Sequence, residues 1–334
     1  MGEPDVVVVG GGAAGLSGAL MLARARRSVV VVDAGAPRNA PADGVHGLLG
    51  RDGTPPVELL DRGRAEVRSY GGEIVRGEVE TVERDGDRFA VRLAGGGLLR
   101  GRRLLVTTGL VDELPDVPGL RERWGRDVVH CPYCHGWEVR DRAIGVLATG
   151  SMSMHQTLLF RQWSPDVMLF THRSPVPEPE QAERLAARGI AVVPGEVAAL
   201  EVTGVRLTGV RLADGTVIAR EVVAVAPRMV ARAGLLASLG LRAVEHPSGA
   251  GEHVPADPTG RTEVPGVWVA GNVTDLSAQV GAAAAAGAFA AAQINFDLVT
   301  EETDAAVAAY RDPFSAQAEA RLAELAGGDR RHGL

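Results

Sequence analysis

The chain has 334 residues, 46% of them hydrophobic, 4% aromatic and 23% charged, with a formal net charge of −7. At about 150 residues per domain this length suits two domains, each with apolar residues enough for a buried core. The negative charge, with no Lys/Arg block, excludes a phosphate-binding nucleic-acid surface, and Arg27 and its neighbours read as a solvated helix end. Abundant Gly (43 residues) and Val/Ala runs with few aromatics favour α/β layers over a β sandwich.

The first five residues are acidic, and the apolar run after them is broken by Gly10, Gly11 and Gly12, so no secretory signal is expected and the protein is placed in the cytoplasm. Val6–Val9 reads as a strand buried on both faces. A helix over Leu16–Ala25 and a strand over Ser28–Val32 complete a β-α-β unit ending at Asp33. Residues 40–56 form a Gly/Pro loop, Leu59–Ser69 a helix, and Glu73–Gly101 a β-meander with turns at Asp85-Gly86 and Gly95–Gly97. Arg103–Thr108 is another buried strand.

Pro115, Pro118 and Gly119 then mark a boundary. A second β-α-β unit follows: strand Ala143–Ala148, helix Met154–Trp163, strand Val167–Thr171. A helix over Glu180–Arg188 and strands near Val192, Val205–Leu212 and Val222–Ala226 repeat the earlier pattern, so the chain holds two related halves. Val264–Ala270 is a strand, followed by an Ala-rich helix; the run from Gly281 to Ala292 is expected to be too short and too weakly apolar to cross a bilayer. The tail after Gly327 is expected to fray.

Two motifs carry chemistry. Gly10, Gly12 and Gly15 fit G-x-G-x-x-G, with Ala14 inside the motif. The first glycine permits the turn, the second lets a pyrophosphate approach the backbone, and the third packs helix on strand. A buried strand before it, a helix after it and the acidic Asp33 about twenty residues on make this a dinucleotide site rather than a Gly-rich turn; Asp33 would bond a ribose hydroxyl. The second motif is Cys131-Pro-Tyr-Cys134-His135, holding the only two cysteines. The same letters could attach a c-type haem, which would need export, and a zinc site would need further ligands. In a reducing compartment the pair reads as redox-active. One thiolate attacks a substrate sulfur while the other resolves the mixed disulfide; a helix start would lower a thiolate pKa, and His135 would move the proton. His130 is a weaker candidate for the same work. No metal is implied.

The order of fingerprint, Cys-x-x-Cys and Thr262-Glu-Val-Pro-Gly-Val-Trp-Val-Ala-Gly-Asn272 resembles the low-molecular-weight thioredoxin reductase family over nearly the whole chain. The resemblance implies an α/β fold with two Rossmann-like dinucleotide-binding domains of the three-layer ββα type. The FAD domain would be discontinuous, 1–115 and 247–334, around a central domain at 116–246. It implies a homodimer, and FAD held by Gly10, Gly12, Ala14, Gly15, Asp33, Ala34, Arg38, His46, Gly109, Gly271, Asn272, Gln279 and Val280. It also implies that Cys134 faces the flavin while Cys131 meets the substrate.

Two departures point elsewhere. Where the family's second fingerprint would bind NADPH, this chain has Ala148-Thr-Gly150-Ser-Met-Ser153, lacking the first Gly and the final Ala. Its basic cluster is reduced to His172-Arg173-Ser174-Pro175. The Cys-Pro-Tyr-Cys-His-Gly run resembles the branch with gliotoxin- and holomycin-type dithiol oxidases, which implies a small dithiol substrate, electrons passing through FAD to O2, and no need of NADPH. An NADPH-dependent thioredoxin reductase and a non-catalytic flavoprotein redox sensor remain as alternatives.

Overall fold

The computed structural model describes residues 3–150, 152–311, 316 and 319–323; the tail beyond Gly327, expected to fray, lies outside them. The first β-branched run, Val6–Val9, is buried along its whole length because it is the central strand of a five-stranded parallel sheet. Its neighbours are Val29–Asp33 and Arg103–Val106, with Glu73–Arg76 and Val267–Val269 at the edges. Strand alternation sends Val6 and Val8 to one face, against helix Ala13–Arg24 and the inner side of helix Val280–Arg311. Val7 and Val9 face the other way, onto the meander of Val79–Asp85, Arg88–Leu93 and Leu98–Gly101 through Val82, Phe89 and Val91. Burying each valine contributes about 1.5–3 kcal/mol, which is why this run cannot sit at an edge.

The second half repeats the plan. A parallel sheet runs in the order Ala191–Val193, Val167–Phe170, Ile144–Leu147, Val222–Val225, Val128–Val129. One face packs under Phe160 and Leu185 of the helices Met152–Phe160 and Pro179–Ala187. The other carries the meander Val197–Thr203, Arg206–Leu212 and Val217–Ala219. The expected pair of three-layer ββα units is present.

Three expectations need correcting. Glu73–Arg76, read as part of the first meander, pairs in parallel with Val29–Asp33 instead, because the helix Pro56–Ser69 returns the chain to the sheet edge. Arg228–Ala231 and Val244–Glu245, expected in the central unit, join Gly251–His253 and Leu110–Glu113 in a separate four-stranded sheet. Counted by strand pairing, the chain leaves the second half between Val225 and Arg228, before position 246. The third is the Ala-rich segment, which forms a 32-residue helix, Val280–Arg311, with a mean hydropathy of 1.3 over its most apolar stretch. By length and composition it passes for a membrane span. Its Ala283, Gly287, Ala290, Ala291, Ile294 and Leu298 are nevertheless buried inside the protein. Its approach to helix Ala13–Arg24 is so close that a Cβ on Gly287 would collide with the carbonyl of Ala14.

Candidate active site

One cavity of about 1350 Å³ runs from the first fingerprint to the cysteine pair and on to Thr149, Gly150, Met152 and Ser153. At its floor the strand Val6–Val9 ends in Gly10, whose φ of +108° and contact with Thr107 leave no room for a side chain. Thr107 Oγ1 donates to the Gly10 carbonyl at 2.9 Å and fixes the turn. A Cβ on Gly15 would strike the Gly10 carbonyl, whereas one on Gly12 would meet nothing within 4 Å: Gly12 faces open cavity. Helix Ala13–Arg24 begins there with no side-chain cap and no acidic residue in its first turn. Its free N–H groups and dipole are therefore available to a pyrophosphate.

Asp33 is buried at the rim. Its carboxylate accepts from the Gly35 amide (2.8 Å) and from Arg64 Nη2 (2.8 Å) and Nε (3.2 Å), which orient it toward the Gly11 backbone. Arg64, on the helix Pro56–Ser69, could not be found from sequence because nothing local links it to Asp33. Ala34 and Arg38 also line the cavity. Arg38 is committed: its Nε and Nη2 donate to the two oxygens of Asp112, both at 2.7 Å. Gly109 (φ +70°) faces open space at the end of the neighbouring strand, and Gly271 (φ +75°) packs on Ala14. The Asn272 side-chain amide donates to the carbonyls of Asp275 and Ala278, each 2.9 Å, and so shapes the turn leading to Gln279 and Val280. Gly-lined floor, uncapped helix start and oriented acid together fit the adenosine diphosphate half of FAD.

The cysteine pair stands in the wall of the same cavity. Cys131 is the N-cap of the short helix Pro132–His135, and its carbonyl accepts from the amides of Cys134 and His135 (3.1 Å each). Both thiols are free. A hydrogen bond from Cys134 brings the Cys131 thiol down from 9.0 to about 7 against the opposing effect of burial; amides of Cys134 and Tyr133 and the Gln279 side chain add to it. The same hydrogen bond, burial and the Cys131 charge hold Cys134 well above the ordinary thiol range. The pair thus carries one thiolate, on Cys131. Gln279 Nε2 lies 4.0 Å from Cys131 Sγ, so this residue, expected at the cofactor, also meets the cysteine.

Neither ring nitrogen of His135 has a hydrogen-bond partner among the described residues, although both are buried. Burial keeps His135 below its ordinary pKa, with Glu138 pulling the other way, so the imidazole is neutral at physiological pH. His130 is pushed down to about 4 by burial and then by the Arg38 charge, with Asp112 opposing. It lines the cavity, and its carbonyl accepts from Gln156 Nε2 at 2.7 Å. His46, expected to touch the cofactor, lines the cavity but sits between carboxylates, with Nδ1 3.6 Å from Asp52 and Nε2 3.5 Å from Glu138. It joins the loop of the first half to the cysteine segment. No cluster of metal-ligating side chains occurs among the described residues.

A family model of pyridine nucleotide-disulphide oxidoreductases matches residues 4–292. The thioredoxin reductase sirT of Leptosphaeria maculans is 30% identical over 311 residues, 87% of this chain and 93% of that protein. The thioredoxin reductase tcpT of Claviceps purpurea is 38% identical over 152 residues, 44% of this chain and 47% of that one, so this match spans about half the length of the relative. Among solved structures, the crystal structure of HlmI is 51% identical, covers 92% of this chain and 97% of its own, and superposes with a TM-score of 0.87. With these likenesses spanning both halves and the cysteine pair beside the cradle, the chain belongs to the pyridine nucleotide-disulphide oxidoreductase family, as an FAD-dependent disulfide oxidoreductase of thioredoxin reductase-like fold.

Proposed function

We propose that this protein is a dithiol oxidase, closing a disulfide in a small-molecule dithiol and passing the electrons to O2. The observation that carries the reading is the cysteine pair, set in the wall of the FAD cavity with its thiolate on Cys131 and, at its side, an imidazole without a partner among the described residues. The eroded second fingerprint, Ala148–Ser153, argues against a nicotinamide donor.

In the oxidised enzyme a substrate thiol attacks Cys131 Sγ as its thiolate, breaking the Cys131–Cys134 bond, and its proton passes to the departing Cys134, whose raised pKa keeps it as the thiol. The second substrate thiol gives its proton to neutral His135 and attacks the substrate sulfur held on Cys131. The substrate leaves with its own S–S bond, and Cys131 departs as a thiolate, for which a pKa near 7 suits it. The Gly10–Gly15 turn and Asp33 would hold FAD, which would supply the redox chemistry that carries the electron pair from the reduced cysteines to O2, the two protons given up by the substrate thiols completing hydrogen peroxide. Cys134, which the family resemblance puts on the flavin side, would be the sulfur nearer the cofactor, and Gln279 Nε2, 4.0 Å from Cys131 Sγ, steadies the Cys131 sulfur.

An anaerobic spectrophotometric comparison tests this. A small dithiol such as dithiothreitol should bleach the flavin, and aerobic turnover should consume one O2 per disulfide. Rapid bleaching by NADPH would sink the reading. It would favour the second one, an NADPH-dependent thioredoxin reductase, which draws on the intact second parallel sheet and on the names of the relatives. That reading also calls for a rotation of one half against the other to exchange nucleotide and disulfide at the flavin.

The assembly proposed is a homodimer. Phe289, Phe296, Val299, Val307 and Tyr310 recur along the outer side of helix Val280–Arg311 and are all exposed, Tyr310 at 87%. Such a seam suits a second copy of the same helix. Light scattering should give twice 34.8 kDa, and Phe296→Asp should lower it toward one chain.

A further inference from the structure

In the first half the position closing the fingerprint is Gly15, and the helix behind it starts without a side-chain cap. The corresponding position in the second half is Ser153, 3% exposed, and its side chain points back into the loop. Ser153 Oγ accepts from the amides of Thr149 (3.0 Å) and Gly150 (3.3 Å). The loop is tied on its other sides as well: Thr149 Oγ1 donates to the Ala226 carbonyl (2.7 Å), Ser174 Oγ to the Ala148 carbonyl (3.3 Å), and Thr157 Oγ1 to the Ser153 carbonyl (2.7 Å). At the end of the adjacent strand, Arg173 Nε and Nη2 both donate to Glu196 Oε1, at 2.8 and 2.6 Å.

We infer that the second dinucleotide site is shut by the chain's own side chains, with the Ser153 hydroxyl standing where a phosphate oxygen would accept from the loop and Glu196 holding the arginine a 2′-phosphate would need. Two successive amides form an anion-binding concavity only while they are unpaired. A pyrophosphate entering here must displace the hydroxyl, leaving it buried without partners, and must pull Arg173 from its carboxylate. Both costs fall on the nucleotide and neither falls on a dithiol at Cys131. Ser153 and Glu196 are therefore specificity-determining positions: they set which electron donor the flavin can have. The inference deepens the oxidase reading and rests on it for its meaning, but it is testable apart from it.

The test is calorimetric titration of the FAD-loaded protein with NADP⁺, in wild type, Glu196→Gln, Ser153→Ala and the double variant. Glu196 lies at the surface, so its variant probes the arginine without touching the buried loop; flavin content and melting temperature confirm that the Ser153 variants fold. Wild type should show no saturable binding below about 1 mM, and the double variant should bind at least about tenfold more tightly, with Glu196→Gln intermediate. Micromolar binding by wild type, or no gain in a folded double variant, overturns the inference. Wild-type bleaching by a dithiol, measured alongside, separates the two claims. Dithiol turnover without a gain in nucleotide affinity defeats only the closed site, and a gain in affinity without dithiol turnover defeats only the oxidase.

Discussion

Gln279 directs its side-chain amide at the sulfur of Cys131, 4.0 Å away across 148 positions of sequence. A weak donor at this distance favours the thiolate over the thiol, in concert with the stronger hydrogen bond from Cys134. Alkylation of the reduced protein by iodoacetamide, followed against pH, should show a midpoint near 7 for Cys131. Gln279→Leu should move it upward, and Cys134→Ala should move it further, because the larger contribution is lost. Raising the midpoint from pH 7 to pH 8 would slow alkylation at pH 6 about tenfold, since the thiolate fraction falls in proportion. A midpoint that stays near 7 in Cys134→Ala would remove the basis for placing the thiolate on Cys131.

His135 has two buried ring nitrogens that bond nothing among the described residues, an arrangement that costs stability and makes sense if substrate supplies the partner. His135→Leu should therefore leave the melting temperature unchanged or raise it, while dithiol turnover falls by about 10²-fold or more, the usual range for a lost acid–base group. A variant that melts early and keeps its turnover would assign His135 a structural role only.

The His130 pKa gives acid sensitivity a definite sign. Unfolded, this imidazole takes a proton as pH falls through 6.5; folded, it resists until about 4. Between those values the unfolded chain binds more protons, so stability is lost on acidification across that window and is complete above it. The loss attributable to this group is on the order of a few kcal/mol. Denaturant midpoints at pH 7 and pH 4.5 should differ less in His130→Gln than in wild type; an equal difference would mean that other groups govern acid unfolding.

Gly287 sits inside a long helix, where helix propensity alone makes Gly→Ala stabilising by about 1 kcal/mol. Packing decides the other way, since the added Cβ collides with the Ala14 backbone and overpacking costs about 1–3 kcal/mol. Gly287→Ala should melt lower, by a few degrees for a chain of this size, and should also loosen flavin retention because Ala14 belongs to the fingerprint helix. A higher melting temperature would show that the two helices can part at no cost.

Much of the molecule is legible in the sequence because it depends on short-range patterns. Val6–Val9 declares a strand buried on both faces, Gly10 and Gly15 declare a tight turn, and Cys131–Cys134 reads as a redox pair from its spacing together with the lack of further zinc ligands or an expected export signal. The patterns that signal these features span only a few residues, although Thr107 is what closes Gly10 in the fold. Other relationships were settled where distant segments cross. Arg64 was brought to Asp33, Arg38 to Asp112 and Gln279 to Cys131; Arg228–Ala231 was drawn out of the second half to pair with Leu110–Glu113; and the Ala-rich helix was pressed onto Ala14. The altered letters of the second fingerprint were visible in the chain, but the direction of the Ser153 hydroxyl was not. A side chain's partner depends on which strand ends and helix starts converge on it, and only the folded arrangement of the two halves supplies that.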